Sequence, residues 1–450
     1  MSSQVHSVPR AWCPEAVAVR TEVSAAGTAD RARRPGIWSL LGAGLITGAS
    51  DDDPSGIATY SQAGAAFGFQ LAWTLLLSYP LMVVIQEISA RIGRTTGRGI
   101  AGNLRQHYPA WLLHSILALL FTANTLNIGA DLAAMAEATR LLEPKVSAAI
   151  LIFFFGLLCT LAPIYLSHAR YVRVLKWLTL VLLSYFAVLL VVRVPWVAVL
   201  RGLVWPDWTL HSSFWLMVVA ILGTTISPYL FFWQAAQEVE DTRADPCRVP
   251  LRRKPAQGPS ALARIRVDTI IGMGVSNLVG LAILITAGAT IHARAGAHNI
   301  ATAAEAAAAL RPLAGMFAFV LFALGIIGTG LLAVPVLATS AAYAIGEARG
   351  WPVGLARRPH QARAFYGTIA AATLLGAMAN VVSINPMQAL VWVAVLNGVV
   401  AVPVMVLLML MAANARILGS FRISGPWLVL GWAATAVMTL AAAACLATAI

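Results

Sequence analysis

Charge is scarce in this sequence: Asp, Glu, Lys and Arg make up 11% of its 450 residues, against 59% hydrophobic. A soluble chain of that length needs more charge to cover its domains. The mean hydropathy of +0.79 suits hydrocarbon instead, where helices satisfy their own backbone groups and side chains can stay apolar. Cysteine is scarcer still. The four (Cys13, Cys159, Cys247, Cys445) form no CxxC pair and no Cys/His cluster, so neither a disulfide framework nor a structural zinc site is expected. There is no HExxH or similar nucleophile–base pattern, which argues against a membrane enzyme and gives no reason to expect a resident cofactor. Residues 1–36 lack the short apolar core of a cleavable signal and read as a polar cytoplasmic tail. Only three lysines accompany 28 arginines, which with the alanine-rich composition points to a GC-rich bacterial source.

Long apolar runs dominate what is present. A spanning helix needs about 20 apolar residues, and eleven segments qualify: 38–68, 70–92, 112–139, 146–166, 172–194, 212–238, 267–291, 313–346, 364–383, 387–412 and 425–449. The fold class expected is therefore an all-α polytopic membrane protein. A ten-helix core over 37–412 is followed by one additional spanning helix within 413–450. Ile300 to Leu310, Ala-rich and amphipathic, is expected to form a short interfacial helix.

Net charge is +13, but the basic residues fall in short runs between apolar segments, so a membrane surface rather than nucleic acid is the partner implied. With a cytoplasmic N-terminus, the tail and the connections after spans 2, 4, 6, 8 and 10 hold 25 of the 31 basic residues. That bias fits eleven spans with the C-terminus outside, in a bacterial inner (plasma) membrane. No obligate protein partner is indicated.

Spans 1 and 6 are interrupted. Span 1 carries Asp51-Asp52-Asp53-Pro54-Ser55-Gly56 between two apolar halves. Three carboxylates facing lipid would be costly, Pro54 removes a backbone donor, and Gly56 tolerates unwound backbone. Span 6 repeats the pattern at Gly223-Thr224-Thr225-Ile226-Ser227-Pro228-Tyr229. The bland alternatives are a loop between two short helices and an ordinary proline kink. The pairing favours a site: if spans 1–5 and 6–10 are two repeats, the breaks occupy equivalent places and mark a binding site near the bilayer midplane. Freed carbonyls beside a carboxylate offer hard oxygen ligands to a cation.

These segments resemble the Nramp family (natural resistance-associated macrophage proteins). The resemblance rests on Asp53-Pro54 through Ala63-Gly64-Ala65, Gln86, Ala90-Arg91-Ile92-Gly93 and Thr96-Gly97-Arg98. It is supported by Ala130-Asp131-Leu132, Asp268, Asn277 and Ala309 to Gly315. It implies a LeuT-type fold of 5+5 inverted repeats plus one extra helix, and alternating-access transport of a divalent metal ion. The resemblance carries over Asp53 as the binding aspartate and Asp131 as an acid of helix 3; the metal site is expected at Asp53, Gly56, Thr224 and Ser227, with Asp52, Tyr229, Asp131, Asn397 and Gln237 nearby or along the pathway.

The departures matter as much. The family typically reads Asp-Pro-Gly-Asn in helix 1 and Met-Pro-His in helix 6. Here the Asn position is Gly56, the Met position Ser227 and the His position Tyr229. Losing a soft thioether leaves an oxygen donor set that suits magnesium or manganese, and losing the Asn side chain is expected to enlarge the site. The chain is similar in this to the Nramp-related magnesium transporters. Tyr229 cannot replace a histidine titrating near neutral pH, and the second helix 3 acid of the family is Ala134 here, with Glu137 a possible substitute. Passive uptake is therefore weighed against proton symport, since a divalent cation gains about 4.6 kcal/mol per 100 mV of inside-negative potential. Alternatives are a proton-coupled Mn2+/Fe2+ symporter and a LeuT-fold carrier of a small organic substrate, whose carboxylate Asp51–Asp53 would repel. Glu87 is expected to pair with Arg91. Gln234, Gln237, Glu238 and Glu240 are placed along the cytoplasmic exit or on a solvated helix end, and His107, His114, His168 and His211 carry no metal role.

Overall fold

The computed structural model describes residues 47–165 except 49, 183–295 except 207, 208 and 210, 299–311, 315–380 and 385–449. Among these, every regular element is helical. Eight helices, taking the two halves of span 6 together, are long and apolar enough to cross a membrane. The remaining three of the eleven expected spans have plain reasons to fall short. Residues 38–46 and 49 of span 1 and residues 172–182 of span 5 lie outside the described residues, and span 9 appears as a helix of only 17 residues, Arg363–Ala379.

In chain order the helices are α1 (Pro54–Phe67), α2 (Ala72–Thr96), α3 (Ile100–His107), α4 (Ala110–Arg140), α5 (Ala148–Tyr165), α6 (Leu183–Val191), α7 (Trp196–Val204), α8 (Ser212–Thr225), α9 (Pro228–Ala244), α10 (Gly258–Ala287), α11 (Ala303–Ala308), α12 (Ala318–Arg349), α13 (Arg363–Ala379), α14 (Pro386–Ala413) and α15 (Pro426–Ala449). Of the helix expected over 300–310, α11 forms the six residues Ala303–Ala308. Neither α3 nor α7 was among the expected elements.

Packing gathers the helices into two sets that meet where α9 lies on α12. α10 packs on α1 and α2, and α2 on α9, while α4, α5, α12 and α13 pack on one another. The contact of α1 with α10 is matched by that of α9 with α2. This is the pairing two repeats of five spans produce, because spans 1 and 7 correspond to spans 6 and 2. α14 lies against α8 and α4, and α15 against α14 and α8. Large apolar side chains point outward, among them Ile150, Phe153 and Leu157 on α5 and Leu440 on α15, as helices bathed in lipid require. Cys159 and Cys445 are buried and free.

Candidate functional site

Both breaks are built the same way. At the first, Ser50 and Asp51 are helical, Asp52 and Asp53 leave the helix, and α1 restarts at Pro54. Asp53 is extended (φ −69°, ψ 173°) and caps α1, its carboxylate accepting from the Gly56 N–H at 2.7 Å and from the Ser55 hydroxyl at 2.6 Å. An N-cap aspartate followed by proline at the first helical position is a strong helix start. At the second, α8 ends at Thr225 and α9 restarts at Pro228, with Ser227 extended in the same position.

Each proline leaves the carbonyl four residues back without its helical donor. For Pro54 that carbonyl is Ser50 O, which accepts from the Tyr229 hydroxyl at 2.8 Å. For Pro228 it is Thr224 O, which accepts from the Ser227 hydroxyl at 2.9 Å; the same hydroxyl reaches Gly223 O at 2.7 Å. The two residues that depart from the family pattern in span 6 thus serve the two orphaned carbonyls.

Around the breaks the side chains form one buried network. Asn127 of α4 donates to Asp53 Oδ2 at 3.0 Å and to Asp131 Oδ2 at 3.1 Å. Its own Oδ1 accepts from Asn397 of α14 at 3.2 Å. Ser276 of α10 donates to Asp51 at 2.7 Å. Asp51, Asp52, Asp53 and Asp131 are all 2% exposed or less. Both oxygens of Asp52, and one each of Asp51, Asp131 and Asn397, accept no hydrogen bond. Among the described residues no three His, Cys, Asp or Glu side chains are grouped to hold a metal ion. The donor set at the breaks is one of carboxylate, hydroxyl and carbonyl oxygens.

The structure therefore brings together Asp52, Asp53, Asp131, Asn397, Tyr229, Thr224, Ser227 and Gly56. A Cβ added at Gly56 would sit 3.1 Å from Thr224 Oγ1 and 3.2 Å from Asp51 O, so the chain closes over the glycine and the expected extra room is absent. Gln237 is buried on α9 but lies about 14 Å along the helix from Pro228 at 1.5 Å per residue, away from the network. Glu137 faces the start of α11, where it accepts weakly from the Ala303 N–H at 3.5 Å, and does not substitute for a second acid beside Asp131. Asn127 and Ser276 escaped sequence reasoning. Asn124, Asn127 and Asp131 recur at spacings of three and four in an otherwise apolar span, a polar stripe that marks one helix face.

Two further regions flank the network. A cavity of about 580 Å³ opens between the C-terminal end of α1 and the N-terminal ends of α8 and α14, lined by Gln62, Phe67, Met217, Gln388 and Trp392 among others. On the opposite side, Glu238 of α9 pairs with Arg264 of α10 at 2.6 Å, and Glu87 of α2 pairs with Arg91 at 2.7 Å and Arg266 at 3.4 Å.

Comparison with known proteins decides the family. The model for natural resistance-associated macrophage protein-like proteins matches residues 44–448. This chain is a member of the Nramp family. The Nramp chain is 28% identical over 306 residues to the divalent metal cation transporter MntH of Yersinia enterocolitica, covering 65% of this chain and 69% of that one. It is 28% identical over 314 residues to MntH of Yersinia pestis, covering 68% and 72%. Its fold matches that of the Eremococcus coleocola manganese transporter with a TM-score of 0.71 at 17% identity, over 91% of this chain and 87% of that one. Mhp1, a nucleobase-cation-symport-1 family transporter, matches with a TM-score of 0.51 at 14% identity, over 90% and 92%. The protein is thus an all-helical, multi-pass transporter of divalent metal ions with a LeuT-like fold.

Proposed function

We propose that this Nramp protein moves magnesium or manganese by alternating access, with the ion held between the breaks of spans 1 and 6. The observation that carries the reading is the set of buried carboxyl groups at and beside the first break: Asp51, Asp52, Asp53 and Asp131 are all buried, with both oxygens of Asp52 accepting no hydrogen bond. Uncompensated carboxylates out of water are expensive, and a divalent cation is the counter-charge that the transport family supplies. Asp53 is the principal ligand, Asp52 a second carboxylate in reach, and Thr224, Ser227 and the backbone at Gly56 add neutral oxygens. Hard oxygen donors without a thioether suit magnesium and manganese over softer metals. The ion enters through the cavity above α1, α8 and α14. The N-terminus lies in the cytoplasm of a bacterial inner membrane, residues 37–412 form the transporting core, and 413–450 add the last helix. Transport needs neither a resident cofactor nor an obligate partner.

A second reading, proton-coupled transport of manganese or iron, has one observation in its favour. Asn127 links Asp53 to Asp131, which connects the proposed ligand to an acid of α4 in two hydrogen bonds. Reconstitution into liposomes separates the readings. Uptake of magnesium, manganese, calcium and iron is followed with internal pH read in parallel. Magnesium and manganese uptake driven by an inside-negative potential, without acidification, is the expected result. Acidification that tracks metal entry, or iron preferred to magnesium, would favour the second.

A further inference from the structure

The end of the molecule beyond the Glu238–Arg264 pair carries a basic groove that plays no part in the ion site. A cavity of about 680 Å³ lies between the end of α2, the end of α9 and the following turn, and Arg98, Arg243, Arg248, Arg252 and Arg253 line it with no carboxylate among them. A second cavity, of about 420 Å³, shares Arg98 and Arg243 with the first and adds Arg105. Six guanidinium groups therefore border the two adjoining cavities.

Among the described residues little acidic charge answers them. Asp245 pairs with Arg248 at 3.1 Å and Glu240 with Arg243 at 3.6 Å. Glu347, at the wall of the second cavity, is occupied by the N–H groups of Gly99 at 2.9 Å and Gly102 at 3.0 Å. Among the described residues the Arg98 side chain meets only Gln106, Arg252 donates to Ile417 O at 3.2 Å, and the exposed Arg253 side chain has no partner. The walls are firmly held: Arg94, buried beneath, donates to Val249 O at 2.7 Å, and the N–H groups of Leu251 and Arg252 bond to Arg94 O and Thr95 O at the end of α2. Nearby, Arg266 stacks 4.8 Å over Trp427 at the start of α15, an aromatic–basic pair of the kind that sits at a membrane–water boundary.

We infer that this groove is a binding site for a phosphate-bearing anion. Guanidinium groups match phosphate oxygens two at a time, held walls lower the cost of ordering the site, and the size is that of a small-molecule pocket. The phosphate comes either from an acidic phospholipid headgroup at the bilayer surface or from a soluble phosphate compound. Simple enrichment of arginine on one side of the membrane explains the charge, but not a shared groove whose arginines go largely unanswered.

The test uses the purified full-length protein in metal-free buffer, with thermal unfolding as readout and sodium chloride at matched ionic strength as control. Two probes are titrated: inorganic pyrophosphate in neutral detergent, and phosphatidylglycerol in phosphatidylcholine nanodiscs. At least one is expected to raise the melting temperature beyond the salt control. Arg98→Gln/Arg252→Gln/Arg253→Gln is expected to weaken that apparent affinity by about tenfold or more. An effect of pyrophosphate assigns the site to soluble phosphates, an effect of phosphatidylglycerol alone to a headgroup, and both support an anion site. No shift with either probe, or the same affinity in the triple variant, would overturn it. Should the triple variant fail to fold, Arg253→Gln alone, at an exposed side chain, carries the test: unchanged affinity there would also overturn it.

Discussion

Pro54 and Pro228 create the same deficit at two places, and hydroxyl groups fill it at both. Tyr229 serves Ser50 O and Ser227 serves Thr224 O, so the substitutions that remove the family's histidine and methionine also stabilise the broken backbone. Tyr229→Phe leaves a buried carbonyl without this donor, and a loss of about 1–3 kcal/mol in stability is expected as a lower melting temperature. Asn127 ties Asp53, Asp131 and Asn397 together. Asn127→Ala is expected to weaken apparent metal affinity about tenfold, equivalent to roughly 1.4 kcal/mol, measured as the concentration dependence of uptake. Asp53 and its neighbours were legible from sequence because charge in an apolar span demands explanation. Asn127 was not read, since a neutral amide in a membrane helix draws less notice, although its spacing from Asn124 and Asp131 was there to be counted. The closing of the chain over Gly56 could not have been foreseen, because it depends on how near span 6 approaches.

Among the elements, the breaks in spans 1 and 6 were readable because each has an acceptor or small polar residue followed by proline, the local chemistry of a helix start. The short helices α3 and α7 were missed, since neither is long enough to register as a span and their packing against longer helices is a tertiary matter. α8 and α14 approach so closely at Gly223 that a Cβ there would overlap Ala394 O and the Gly398 backbone. Small residues are what allow such approach between membrane helices. Gly223→Ala is expected to push the pair apart and cost about 1–3 kcal/mol. Thermal unfolding in detergent measures the loss, and unchanged melting would mean the contact can relax freely.

For the whole molecule, the two repeats set two groups of helices around one buried network, with a cavity on one side and ion pairs on the other. The Glu238 carboxylate is 1% exposed and depends on Arg264. Arg264→Met strands that charge, and a loss of about 3 kcal/mol is expected; Arg264→Met/Glu238→Leu should recover most of it in the same unfolding measurement. The overall architecture was legible because hydropathy, charge asymmetry and paired breaks agree, whereas the groups of helices follow from contacts between distant spans. The central claim is that a divalent cation crosses by way of Asp53, and the most direct measurement is metal uptake into liposomes holding wild-type protein or Asp53→Ala, with folding of both checked by their melting. Uptake of magnesium and manganese by the wild type, falling to the level of empty liposomes in a folded Asp53→Ala, is the result expected. Undiminished uptake by Asp53→Ala would contradict it.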